Sequence, residues 1–210
     1  MSATAQQRIV AATRNGGKLR EIKLALAAAP VEILSLEAWP DLSEPVEDAP
    51  TFAENAALKA RYYAAATGQW CLADDSGLVV DALDGRPGVH SARYAAGDCP
   101  AGSAREAIDR ANNARLLAEL ETVDDARRTA RFVCSLALAD GDRIVLTAQG
   151  SVEGIIIRQR RGENGFGYDP IFLVPELGRT VAELDGQTKN QISHRGKALK
   201  QLAQMLEQMT

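Results

Sequence analysis

Ile9-Val10-Ala11-Ala12-Thr13-Arg14-Asn15-Gly16-Gly17-Lys18-Leu19 is the stretch that decides the class of fold. Its first four residues form a short apolar run of strand length, and after the glycines Leu19, Ile22 and Leu26 recur at helical spacing. Pro30 stops that helix, and Val31-Glu32-Ile33-Leu34-Ser35-Leu36 alternates as a second strand would. The resulting β-α-β unit predicts an α/β fold. It also sets backbone N–H groups and the positive end of a helix dipole at the loop, beside Lys18, an arrangement that suits a phosphate. The pattern G-x-x-x-x-G-K-[ST] is absent, so this is not a Walker A loop. On these residues alone, glycines that serve only the turn fit as well as a phosphate loop.

The next informative stretch is Ala73-Asp74-Asp75-Ser76-Gly77. Trp70-Cys71-Leu72-Ala73 before it reads as a buried strand, Gly77 lets the backbone turn, and Leu78-Val79-Val80 resumes the apolar pattern. The two carboxylates are therefore expected at a strand end. A hard cation such as Mg²⁺ takes oxygen ligands and keeps some waters, so Asp at the lip of a sheet can seat a metal-nucleotide. The competing reading is a turn with solvated Asp.

Between these stretches, the acidic loop Glu44-Pro45-Val46-Glu47-Asp48 leads to Thr51-Phe52-Ala53-Glu54, a capping box that opens a helix through Thr67, with Gly68 as its stop. Ala53, Ala56, Ala57, Ala60 and Ala64 share one face, which predicts close packing. Asn55 and Lys59 fall roughly opposite and look into a cleft that Glu47 borders, or else Lys59 is simply solvated.

Downstream, Asp84-Gly85-Arg86-Pro87-Gly88 is a turn cluster, and the following residues to Tyr94 carry no clear period. Ser103-Ala104-Arg105-Glu106 is a second capping box, opening a helix to about Glu121. Residues 130–139 and 144–151 are β-rich and separated by Asp140-Gly141-Asp142, a hairpin signal, so the sheet is expected to be mixed. In Arg160-Arg161-Gly162-Glu163-Asn164-Gly165-Phe166-Gly167-Tyr168-Asp169-Pro170, glycines surround two aromatics; the loop either lays a ring against a planar base or tucks its aromatics inward. Thr180-Val181-Ala182-Glu183 repeats the capping pattern. Ser193 reads as the cap of a C-terminal helix striped by Leu199, Leu202, Met205 and Leu206. His194 and Arg195 then stand in its first turn, where basic residues oppose the dipole unless an anion binds them.

Composition narrows the classes. The chain has 210 residues, 46% hydrophobic and 25% charged, ordinary for a globular protein and expected to form one domain. A formal charge of -4 argues against a nucleic-acid polymer as partner, while a compact anionic ligand needs only a few converging cations. Three cysteines without a close pair suggest neither a disulfide framework nor a thiolate zinc site, which fits a reducing, cytoplasmic setting. Met1 to Gln7 shows no apolar leader core, and no stretch approaches the ~18 apolar residues of a membrane span. With no G-x-S-x-G or similar motif for His194 to serve, covalent catalysis has no support.

Taken together, the motifs resemble the inosine/xanthosine triphosphate pyrophosphatases over nearly the whole chain. The residues carrying the likeness are Thr13 to Lys18, Thr51-Phe52-Ala53-Glu54-Asn55-Ala56 with Lys59, Asp74-Asp75-Ser76-Gly77-Leu78, Pro87-Gly88 with Ser91-Ala92-Arg93-Tyr94, Gly165 to Pro170, and Ser193-His194-Arg195-Gly196. The resemblance implies a mixed α/β fold, an elongated twisted sheet flanked by helices, in a single domain (1–210) of two lobes with a central cleft. It further implies a homodimer, Mg²⁺ dependence, and hydrolysis of ITP, dITP and XTP to the monophosphate and pyrophosphate. By the same resemblance Asp75 is the proton acceptor and a Mg²⁺ ligand and Glu47 the second ligand. Thr13, Asn15, Gly17, Lys18, Lys59 and Ser76 hold phosphate, and Phe166, Gly167, Tyr168, Asp169, Lys189, His194 and Arg195 enclose the base and nearby substrate atoms. Arg14 departs from the family, whose bacterial members commonly have Gly there, and adds a charge to the loop. The rival readings are a catalytically silent purine-nucleotide sensor and a phosphatase that releases orthophosphate.

Overall fold

A computed structural model of the protein describes residues 6–209; the N-terminal residues read above for a leader, 1–5, lie outside them. Among the described residues, strands β1 (Gln7–Ala11), β2 (Val31–Ser35), β3 (Trp70–Val80), β4 (Thr129–Asp140), β5 (Arg143–Ile156), β6 (Phe172–Val174) and β7 (Arg179–Thr180) form one sheet in the order β2-β1-β3-β4-β5-β6-β7. β1 pairs in parallel with β2 and β3, whereas β5–β6 and β6–β7 are antiparallel, so the sheet is mixed as expected. The helices are α1 (Gly16–Ala25), α2 (Phe52–Thr67), α3 (Arg105–Glu119), α4 (Gly186–Ile192) and α5 (His194–Glu207). No described helix is long and apolar enough to cross a membrane.

The chain forms two compact units. The first comprises the described residues of Met1–Asp75, Cys134–Gly150 and His194–Thr210. Here the sheet is covered on both faces, which is why its strands read as unbroken apolar runs. Ile9, Ala11 and Leu72 pack with Ile22 and Leu26 of α1 and with Ala198, Leu199, Leu202 and Leu206 of α5. Val10, Cys71 and Ala73 point the other way, onto Ala56, Ala60, Tyr63 and Ala64 of α2. The alanines let α2 lie close, and its ends are as read: Thr51 caps Glu54 N–H and Gly68 closes the helix with φ 63°.

The second unit comprises Ser76–Val133 and Ser151–Ser193. Its core joins Leu78 and Val80 to Leu116 and Leu120 of α3, and to Phe132, Val152, Tyr168 and Phe172. Gly154 packs against Phe172, where a Cβ would meet the ring at 2.4 Å.

Three expectations are corrected. Asp74 and Asp75 lie inside the continuous strand β3, not at a strand end, and Gly77 extends the strand instead of turning it. Buried cations around both carboxylates make an extended polar pair tolerable there. Asn55 and Lys59 do not stand opposite the alanine face; they are buried alongside it, widening the covered arc of α2. The cap of α3 is Ala104, without a side-chain bond, because the Ser103 hydroxyl donates to Pro100 C=O instead. Helix α4, capped by Asp185, and strands β6 and β7 escaped the sequence reading.

Candidate active site

The site in the first unit follows from the period of β3. Successive side chains of a strand point to opposite faces. Asp74 therefore shares the face of Leu72, under α1 and α5, and Asp75 shares that of Cys71 and Ala73, under α2. Each carboxylate meets the cations of its own helices. Asp74 Oδ1 lies 2.6 Å from Lys18 Nζ of α1, and its Oδ2 accepts from Arg195 Nε of α5 at 2.9 Å and from the Cys134 thiol at 3.6 Å. Arg195 Nη1 also donates to Glu21 of α1. On the other face, Lys59 Nζ donates to Asp75 Oδ1 at 3.1 Å and to Glu47 Oε2 at 2.8 Å.

These environments drive the two carboxyls apart. Burial alone would raise Asp74, but the Arg195 guanidinium and the Lys18 and Lys59 ammonium groups outweigh it and hold the carboxyl well below its usual range. At Asp75 burial prevails over Lys59 and Lys18, with Glu47 adding to it, and the carboxyl is raised. Burial would lower Lys59, yet Asp75, Asp74 and Glu47 together keep its ammonium raised. The ion pairs join Lys18, Lys59 and Arg195 to Glu21, Glu47, Asp74 and Asp75, one carboxylate more than cations. Asp75 Oδ2 is buried with no hydrogen-bond partner among the described residues.

The loop before α1 is tied to itself. Asn15 caps the helix, its Oδ1 accepting from Gly17 N–H at 2.9 Å and Lys18 N–H at 3.2 Å, and Thr13 Oγ1 accepts from Asn15 N–H at 3.1 Å. Those N–H groups are therefore not free, contrary to the expectation, and Gly16 and Gly17 belong to the helix and not to a turn. Arg14 leans out to Glu44, 3.6 Å away, and to Leu42 C=O. At the start of α5, His194 is buried, and its carbonyl lies against Gly150, where a Cβ would come within 2.2 Å. The anions that reconcile Arg195 with its place in a first turn are thus Asp74 and Glu21 of the protein itself.

In the second unit, Ser76 continues β3 directly after Asp75, and of the two aromatics of the glycine-rich loop one tucks inward and one does not. Tyr168 is tucked into the core, its hydroxyl donating to Ser91 C=O at 3.0 Å. Phe166 stays half-buried with Lys189 Nζ 4.6 Å above its ring centre. Asp169 Oδ2 accepts from Lys189 Nζ at 2.8 Å and from Phe166 N–H at 2.9 Å. Gly165, with φ 81°, is required here, since a Cβ would meet Asp169 Oδ2 at 2.1 Å. Sequence reasoning left the role of Asp74 beside Asp75 open and passed over Glu21, Asp109 and Asn113. Nothing in the sequence marked the last two: Asp109 and Asn113 share a helical stripe with Leu116 and Leu120, and that the polar half is buried shows only in the structure.

Residues 9–205 match the model of the Ham1 family. A dITP/XTP pyrophosphatase of Geobacter sulfurreducens is 53% identical over 192 residues, covering 91% of this chain and 92% of that protein. A HAM1 protein from Coxiella burnetii superposes with a TM-score of 0.84 at 42% identity, covering 96% of this chain and 99% of the other. The Staphylococcus aureus Ham1 protein gives 0.82 at 40%, covering 97% and 100%. Motif order, sheet topology and similarity along almost the entire length coincide, and the chain belongs to the Ham1 family.

Proposed function

We propose that the protein hydrolyses ITP, dITP and XTP, purine nucleotides outside the standard set, to the monophosphate and pyrophosphate, with Mg²⁺ as cofactor. The observation that carries this reading is the Glu47–Lys59–Asp75 group, two carboxylates gathered on one buried ammonium with Asp75 Oδ2 unpartnered. The excess carboxylate and the oxygen donors suit a hard divalent cation. Mg²⁺ is held by one or two carboxylates plus substrate phosphates. Asp75 and Glu47 would hold the ion, which would offset charge on the phosphates. The names of relatives such as the Geobacter sulfurreducens dITP/XTP pyrophosphatase support the substrate class.

The chain's own residues then have distinct tasks. Asp75, its carboxyl raised, accepts a proton from a water aligned on the α-phosphorus; the new P–O bond forms as the α–β bridge breaks and pyrophosphate leaves. Lys18 and Lys59 supply positive charge to the phosphates, with Thr13, Asn15, Gly17 and Ser76 as polar partners. Phe166, Gly167, Tyr168 and Asp169 with Lys189 receive the base, joined by His194. Arg195, bound to Asp74 and Glu21, is counted by the same reading among the residues that enclose the base and nearby substrate atoms. A homodimer and a cytoplasmic setting complete the proposal and rest on the family resemblance.

Hydrolysis of ITP in ¹⁸O water tests it. The label is expected in the monophosphate; label in pyrophosphate or release of orthophosphate overturns the reading in favour of cleavage elsewhere, and binding without turnover overturns it in favour of a sensor.

A further inference from the structure

The loop Phe166-Gly167-Tyr168-Asp169 is held by more than its own bonds. Asp109 and Asn113 stand one turn apart on α3 and both reach Gly167. Asp109 Oδ2 accepts from Gly167 N–H at 2.9 Å, and Asn113 Nδ2 donates to Gly167 C=O at 2.9 Å. The orientation of the Asn113 amide follows from its neighbours, since Nδ2 also faces the Asp109 carbonyl at 2.6 Å. Arg105 Nε, one turn earlier, lies 3.0 Å from Asp109 Oδ1, an ion pair without hydrogen-bond alignment. Asn112 turns to the neighbouring segment, accepting from Ala95 N–H at 2.7 Å and donating to Ser91 C=O at 3.3 Å; this same Ser91 carbonyl receives the Tyr168 hydroxyl.

Gly167 has φ 61°, a state that glycine adopts about as readily as one of negative φ, so sterics alone do not hold it in one conformation. Its N–H and C=O belong to the two peptide groups that flank it, so gripping both fixes the direction in which Phe166 leaves on one side and Tyr168 on the other. Asp109, Asn112 and Asn113 are buried polar side chains on a helix whose one other buried position is Leu116. Leucine there would serve packing equally well and cost less, because a buried polar group must be bonded to be tolerated. What Asp109 and Asn113 add is directional contact to one glycine, and what Asn112 adds is contact to the 91–95 segment.

We propose that Asp109 and Asn113 are specificity-positioning residues, a two-pronged clamp that holds the 166–169 loop in the geometry that receives the purine base. This rests on the reading above, in which that loop encloses the base. The bonds described for the clamp go to Gly167 and within α3, to no residue assigned to the triphosphate, so its loss is expected to weaken recognition of the base alone. A reacting geometry displaced by an ångström costs up to roughly a hundredfold, so Asp109→Ala or Asn113→Ala is expected to lower kcat/KM for ITP by about ten- to a hundredfold. ATP, for which the loop is not shaped, should lose much less, and the ITP/ATP ratio should narrow.

The experiment measures kcat and KM for ITP and ATP, with inorganic tripolyphosphate as a competitive inhibitor, in the parent, Asp109→Ala, Asn113→Ala and Asp109→Asn. Tripolyphosphate carries no base, and sites that share no partner add independently, so its Ki should stay within about twofold of the parent. Asp109→Asn keeps an oxygen acceptor for Gly167 N–H and should recover most of the ITP activity. A merely structural role predicts that ITP, ATP and tripolyphosphate weaken together and that Asp109→Asn behaves like Asp109→Ala; either result overturns the clamp, as does an unchanged ITP/ATP ratio. A parent enzyme that does not turn over ITP removes the underlying reading and the clamp with it, and is told apart from those outcomes by the parent alone.

Discussion

Replacing Asp74 with Asn removes one negative charge and almost no volume, so its effect isolates the electrostatics beneath α1 and α5. Asp74 is 3% exposed and faces Arg195, 1% exposed, and Lys18, whose side chain is 18% exposed. Removing one partner of a buried ion pair costs about 3–5 kcal/mol because the other charge is left uncompensated. Two facts of geometry put this case at the lower end: Arg195 keeps Glu21, and Lys18 can turn its ammonium toward solvent. About 3 kcal/mol, at roughly 2–4 °C per kcal/mol for a chain of this size, predicts a fall in Tm of roughly 6–12 °C at pH 7. The sign with pH follows from the depressed carboxyl. Its contribution is fully present above the unfolded-state pKa near 4 and is lost as pH falls through the lower folded value. The gap between parent and variant should therefore persist from pH 7 to pH 5 and close only in stronger acid. Adding Lys18→Met to Asp74→Asn leaves the Arg195–Glu21 pair intact and removes the stranded ammonium, so the double variant should be more stable than additivity allows, by about 1 kcal/mol. Thermal melts followed by circular dichroism read all three proteins. A Tm drop below about 2 °C, or strict additivity in the double variant, would refute the reasoning, since neither is compatible with the cited cost of stranding a buried charge.

Two further outcomes are expected. Asp75→Asn should keep the fold and lower the rate of ITP hydrolysis by about 10²–10⁴, the usual worth of a general base; activity above about a tenth of the parent would reassign the proton acceptor. Gly150→Ala should destabilise by about 1–3 kcal/mol or more, because the new Cβ would meet His194 C=O at 2.2 Å and Ala198 N at 2.8 Å, backbone atoms that no rotamer change can move. Gly186→Ala, with nothing within 4 Å of its Cβ, is the control, and equal Tm values for the two variants would show that β5 and α5 are not in the contact described.

How far the sequence could be read follows from what each signal depends on. The β-α-β start, the span of α2 and the β4–β5 hairpin rest on hydrophobic period, capping residues and a turn pair, signals that act over a few neighbouring residues. Elements β6 and β7, of three and two residues, are too short to show any period. The Asp74-Asp75-Ser76-Gly77 stretch misled for a different reason. Its composition is that of a turn, and only cations supplied by α1, α2 and α5, distant in sequence, make it a buried strand. Arg195 was read as waiting for an anion; the anion was Asp74, 121 residues away. The Asp109–Asn113 clamp was hidden because polar residues on a helix ordinarily mark its solvent face, and burial is invisible until the partner loop is known.

The alternation of β3 also explains why two adjacent, buried aspartates are not interchangeable in the proposed reaction. A general base must hold a proton well enough to take it from water, and its efficiency falls as its pKa drops away from the working pH. Asp74, fixed between a guanidinium and an ammonium, is held ionised and is a weak acceptor however close a water might lie. Asp75 has one ammonium that it shares with Glu47, and burial raises it. Environments that push paired carboxyls apart are how one site assigns different roles to the same side chain. The strand makes the assignment strict: a residue's face follows from its parity, so no side-chain rearrangement can bring Asp74 to α2 or Asp75 to α5. The carboxylate at 74 joins α1 and α5 to the sheet through Lys18 and Arg195, and in the proposed reaction the proton falls to the residue at 75.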